Sequence, residues 1–124
     1  MNNILLIAIG GALGSVSRYG CQAWIYQHYP HPFPYGTFAV NILGSLLIGL
    51  FFGLSEKGNL MSPEWRIFLT TGFCGGYTTF STFSFETLSL LRNGEFVYAI
   101  TYVLLSVILG LVAVWTGIFV IKIL

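Results

Sequence analysis

The chain has 124 residues, of which 56% are hydrophobic and only 7% charged, with a formal net charge of +1. A soluble domain carries about a quarter charged residues, so a water-soluble globule is excluded. A chain so close to neutral also lacks the basic footprint that nucleic acid requires. Charge-free runs over Met1–Ser17, Tyr19–Ser55, Ile67–Phe85 and Phe96–Ile121 predict an all-α integral membrane protein. It forms one domain, residues 1–124, of four transmembrane helices.

The first helix is predicted over residues 3–28. Met1-Asn2-Asn3 offers no positive n-region and the apolar pattern continues past Gly14 through Trp24 and Ile25, so this is a span and not a cleaved signal. Arg18 is the charged residue inside it. An intramembrane cation marks either an anion-attracting vestibule or a side chain snorkelling to an interface. Pro30, Pro32 and Pro34 then end the helix in a loop. His28 and His31 of this region have no third ligand nearby and read as interfacial, and Trp24, Tyr26, Tyr29 and Tyr35 read as an aromatic belt.

The second helix is predicted over 37–54. Thr37 is a candidate cap, and Asn41, about a turn inside, offers two amide donors to a helix neighbour or to an anion. Gly10 and Gly14, Gly49 and Gly53, and Gly72 and Gly76 are spaced for close backbone approach.

The third helix, predicted over 65–91, carries the most informative run of the chain, Gly75-Gly76-Tyr77-Thr78-Thr79-Phe80-Ser81-Thr82-Phe83-Ser84. An ordinary span would hold Leu, Ile and Val here. Polar, breakable backbone at membrane depth is tolerated only where protein or water satisfies it, which points to a permeation path or an ion site. The helix is predicted to break in Gly75-Gly76-Tyr77-Thr78, freeing carbonyls that suit a hard cation such as sodium. Phe80 and Phe83 share a face among Thr79, Ser81, Thr82 and Ser84. Their ring edges are electropositive and could contact an anion without the tight grip of a fixed charge. Glu86 sits near the end of this helix, within reach of an interface.

The fourth helix is predicted over 96–123, with Tyr102 and Ser106 making a polar stripe. Cys21 and Cys74 fit no metal or redox spacing and read as small hydrophobes. The termini and the 55–64 loop share one side of the membrane with Lys57, Arg66 and Lys122, against Arg92 and Arg18 opposite. So small a bias predicts insertion in both orientations and an antiparallel, dual-topology homodimer. Four helices also enclose too little to shelter the hydroxyls of the third, which again calls for an oligomer.

Three stretches together resemble the CrcB/Fluc family of bacterial fluoride channels: Gly10-Gly11-Ala12-Leu13-Gly14-Ser15 with Arg18-Tyr19; Gly36-Thr37 through Val40-Asn41 with Gly44; and Gly72 through Ser84 with Glu86. The resemblance implies a passive, fluoride-selective channel of the bacterial inner membrane that exports fluoride and protects against its toxicity. It implies an antiparallel homodimer with two pores, lined by Asn41, Phe80 and Phe83 and continued by Tyr102 and Ser106. Gly75 and Thr78 would hold a structural sodium ion through backbone carbonyls. Family members often carry a further hydroxyl one turn past Ser106, where this chain has Gly110. The rival readings are a small dual-topology multidrug or cation antiporter, which needs a carboxylate in the first helix that this chain lacks, and a non-transporting membrane scaffold.

Overall fold

The computed structural model describes residues 2–58 and 60–124. Helix α1 runs from Asn3 to His28, capped by the Asn2 side chain, whose Oδ1 accepts the Ile4 N–H at 2.8 Å. The proline loop follows, and α2 covers Tyr35–Glu56. It begins before Thr37, which lies buried within the helix and does not cap it.

The third rod opens with α3, Pro63–Ile67. Ser62 caps it through its Oγ, with Pro63 in the first turn, where a missing N–H costs nothing. It continues through a wider, π-helical segment, Phe68–Cys74, into α4, Gly75–Tyr77. Helical backbone then stops. Thr78 and Thr79 are extended, with φ/ψ of −92°/160° and −151°/116°. Helix α5 resumes over Phe80–Arg92, capped by the Thr79 hydroxyl, which accepts the Thr82 N–H at 3.2 Å. A left-handed Gly94 (φ 76°) turns the chain into α6, Phe96–Ile123. Helices α1, α2 and α6 are each long and apolar enough to cross a membrane, and their outer faces carry exposed residues such as Leu13, Leu104, Ile108 and Trp115.

The rods pair through glycines. Gly10 and Gly14 of α1 lie against the backbone of Phe68, Gly72 and Phe73, and Gly76 lies against Gly11. Gly49 of α2 and Gly117 of α6 seat those two helices on each other, and Lys57 closes the pair by donating from Nζ to the Ile121 carbonyl at 2.8 Å. Lipid supplies no hydrophobic drive for helix association, so this backbone contact carries the packing. A Cβ at Gly117 would stand 2.6 Å from the Leu46 carbonyl oxygen and the Leu50 nitrogen, whereas one at Gly110 would meet only the Ser45 hydroxyl at 3.7 Å. Gly117→Ala should therefore cost about 1–3 kcal/mol and lower the melting temperature in detergent. Gly110→Ala should melt with the parent.

Candidate functional site

The break in the third rod is enforced by a neighbour. Asn41 of α2 places its amide against Thr79: Oδ1 accepts the Thr79 N–H at 2.8 Å and Nδ2 donates to the Thr79 carbonyl at 3.2 Å. This pair mimics a peptide partner. It also diverts the N–H that a continuous helix would direct at the Gly75 carbonyl four residues earlier, so that carbonyl is released. Thr78 turns both its N–H and its hydroxyl to the Cys74 carbonyl, each at 3.0 Å. Gly44 of α2 gives the break room, for a Cβ there would strike the Thr78 side chain. The predicted position of the break shifts accordingly. Gly75 is helical, with φ/ψ of −60°/−38°, and the extended residues are Thr78 and Thr79. The glycine pair serves packing against α1, and Asn41 does the breaking.

A cleft of about 600 Å³ opens at this point, and its lining includes Asn41, Gly75, Thr78, Phe80, Phe83 and Ser106. Phe80 is 79% exposed, and its ring lies 5.8 Å from that of Phe83. Phe83 is half-buried and leans on Tyr102, with ring centroids 4.9 Å apart. Ser106 directs a buried hydroxyl without a hydrogen-bond partner among the described residues. One Asn41 N–H is committed to Thr79 and the second remains for a ligand. Thr79 also lines the cleft. Thr82 gives its N–H to the Thr79 cap, and the Ser81 hydroxyl stands 3.5 Å from that of Thr79; neither Ser81 nor Thr82 is in the cleft lining.

Tyr102 sits elsewhere. It is fully buried and its hydroxyl donates to Glu86 Oε1 at 3.0 Å. The other carboxylate oxygen accepts from the Tyr26 and Thr37 hydroxyls, each at 3.0 Å, and Gln22 Nε2 donates to Thr37 Oγ1 at 3.0 Å. Glu86 thus faces inward and ties α1, α2 and α6 to α5, where the sequence suggested an interface. Tyr26 leaves the aromatic belt for the same reason, while Trp24, Tyr29 and Tyr35 stay exposed. The sequence carried little sign of this cluster. The residues that donate to Glu86 are 16 to 60 residues from it, and nothing local marks Thr37 or Gln22 as members of the cluster. Arg18 lies half-buried on α1, its Nε buried without a partner among the described residues, and it is not part of the cleft lining. Cys74 is buried and Cys21 receives the Tyr77 hydroxyl at 3.3 Å, both as free thiols.

Among the described residues no three His, Cys, Asp or Glu side chains gather to hold a metal. The donors that remain are backbone oxygens. The released Gly75 carbonyl and the extended Thr78 border one cleft, and unwound carbonyls of this kind suit sodium.

Comparison with known proteins identifies the family. The profile of the family described as CrcB-like protein, Camphor Resistance (CrcB), matches residues 5–118. The chain is 52% identical over 122 residues to a protein of Flavobacterium psychrophilum named fluoride-specific ion channel FluC, covering 98% of both chains. A protein of the same name from Geotalea uraniireducens is likewise 52% identical over 122 residues, again 98% of both. One from Leptospira interrogans is 43% identical over 120 residues, covering 97% of this chain and 94% of that protein. A profile match over nearly the whole chain and relatives of this closeness leave one conclusion: the chain belongs to the CrcB family.

Proposed function

We propose that this chain is a passive fluoride channel, a multi-pass membrane protein and not an enzyme, whose ion path runs through the cleft at the break of the third rod. The observation that carries the reading is the lining of that cleft, which has an amide N–H, a free Ser106 hydroxyl and two phenylalanine rings, with no fixed charge. Fluoride is small and strongly hydrated, and several weak donors acting together offset partial dehydration while still letting the ion go. The relatives' name supports the choice of fluoride over other anions.

The physiology follows from acid chemistry. HF crosses lipid as a neutral acid, dissociates in a less acidic cytoplasm, and leaves fluoride trapped. A passive path lets the membrane potential expel it, with about 2.3 kcal/mol available per charge per 100 mV.

The working unit in this reading is an antiparallel homodimer. Two residues lining the cleft, Phe80 and Gly75, are exposed in the single chain, and a second copy would complete the path with its own rings. A sodium ion held by the Gly75 and Thr78 carbonyls of both copies would cross-brace the two breaks. Four oxygens around one monovalent cation need no carboxylate. Arg18 would stand in the aqueous vestibule and Ser106 would continue the polar track, with Tyr102 behind it supporting the Phe83 ring.

Vesicles containing the purified protein should release fluoride when a potassium ionophore balances charge, and chloride far more slowly. Equal chloride release overturns the selectivity, a strict need for a proton gradient favours an antiporter, and no release at all favours a scaffold. Cysteine labelling at Leu60, exposed in the loop between α2 and α3, should mark both faces of the membrane. Sodium-free protein should conduct poorly or dissociate.

A further inference from the structure

The proline loop carries a contact that the conduction path does not use. The Phe33 N–H donates to His31 Nδ1 at 3.0 Å. The Phe33 side chain, 6% exposed, is driven into the cluster of Leu90, Ala99 and Tyr102. Its ring meets Tyr102 edge-on at 5.4 Å and 74°, and Tyr102 in turn supports Phe83 at 4.9 Å and donates to Glu86. One imidazole nitrogen therefore holds the loop residue on which the Tyr102 ring rests.

We propose that His31 and Phe33 form an acid-sensitive latch that positions Tyr102 and, through it, the Phe83 ring at the cleft. This rests on the reading of Phe83 as a pore residue. Nδ1 can accept only while it carries no proton. In the imidazolium both nitrogens donate, so the bond to the Phe33 N–H must open. Histidine is the side chain that makes this change between about pH 5 and 8. The titratable groups around the ring are few. Tyr35 of α2 lies 5.5 Å away and Tyr98 of α6 lies 5.4 Å away, and Tyr29 of its own loop shares the same aromatic cleft. His28, at the end of α1, has its Nδ1 on the Trp24 carbonyl, and Glu95 stands one turn before Tyr98. Of these groups only His31 accepts the Phe33 N–H, whereas His28 turns its Nδ1 to a carbonyl, so the latch opens on the charge of His31 itself. His31 and Phe33 are positioning residues that touch no ion.

The test compares fluoride release by wild-type protein, His31→Asn and His31→Ala at pH 7.5 and 5.5, with protein-free vesicles giving the background leak of neutral HF. An asparagine Oδ1 accepts from the N–H two residues on, as in an Asx turn, and does not titrate. Wild-type flux should fall about three- to tenfold on acidification, across the range where histidine gains its charge. His31→Asn should match the wild type at pH 7.5 and hold that rate at pH 5.5. His31→Ala should be slow at both. Identical acid profiles for wild type and His31→Asn overturn the proposal. A second readout is independent of flux: the Phe33 amide proton resonance should titrate with the His31 ring in wild-type protein and stay fixed in His31→Asn, and an amide that ignores the titration also overturns the latch. If wild-type vesicles release no fluoride at pH 7.5, the conduction reading fails, and the amide response alone decides whether the latch exists.

Discussion

Phe80→Ile and Phe83→Ile should each cut fluoride efflux sharply while leaving the folded protein intact. Isoleucine keeps apolar bulk and deletes the ring quadrupole, whose positive edge is what an anion would meet. A buried donor that goes missing costs about 1–3 kcal/mol, and a rise of that size in a conduction barrier slows flux about five- to 150-fold. Phe80 is the cleaner probe of the two. Its ring is exposed in the single chain, so the substitution disturbs little packing within it, whereas Phe83 also supports Tyr102. Phe119→Ile is the control. That ring stacks on Trp115 in α6, 5.0 Å away and outside the cleft lining, and its loss should be nearly silent. Efflux at the parent rate from both pore variants would make the phenylalanines mere packing and send the ion by another route.

Asn41→Ala should have the second large effect, and a different kind of effect. It removes the N–H that the proposed path offers to the ion and, with it, both hydrogen bonds that tie Thr79 to α2. The Thr79 N–H and carbonyl are then left without partners inside the membrane, where each unsatisfied group costs several kcal/mol. The expected result is loss of flux together with a lower melting temperature, in contrast to the phenylalanine variants, whose stability should hold. Loss of flux with unchanged stability would mean that Asn41 acts only as an ion ligand. Unchanged flux would remove it from the pore altogether.

Much of this architecture was readable in the chain. Charge-free runs and the proline loop set the limits of α1 and α6 at the residues where the structure has them, 3–28 and 96–123. The glycine spacings pointed to close backbone packing among the first three segments, and the structure shows α1 lying on the third rod through them. The cleft residues Asn41, Phe80, Phe83 and Ser106 came from hydroxyl and aromatic content at membrane depth, where any polar group needs a reason. The Glu86 cluster was hidden, since its donors come from three other helices and each has an ordinary local explanation: Tyr26 as belt, Thr37 as cap, Tyr102 as pore. The position of the break was misplaced by a few residues for a related cause. Glycines suggest where a helix can bend, but the bend was settled by an amide on another helix.

That last point bears on how the protein is made. Residues 75–79 contain no proline, and Gly75 and Gly76 are themselves helical. Within the third segment only the Thr79 hydroxyl, which caps α5, favours the break. A segment of this kind can enter the bilayer as an uninterrupted helix, the form whose backbone groups are satisfied internally. The two bonds from Asn41 then replace the helical hydrogen bond that the break gives up. Insertion and assembly are then separable stages, and in the proposed reading the ion path forms with the second.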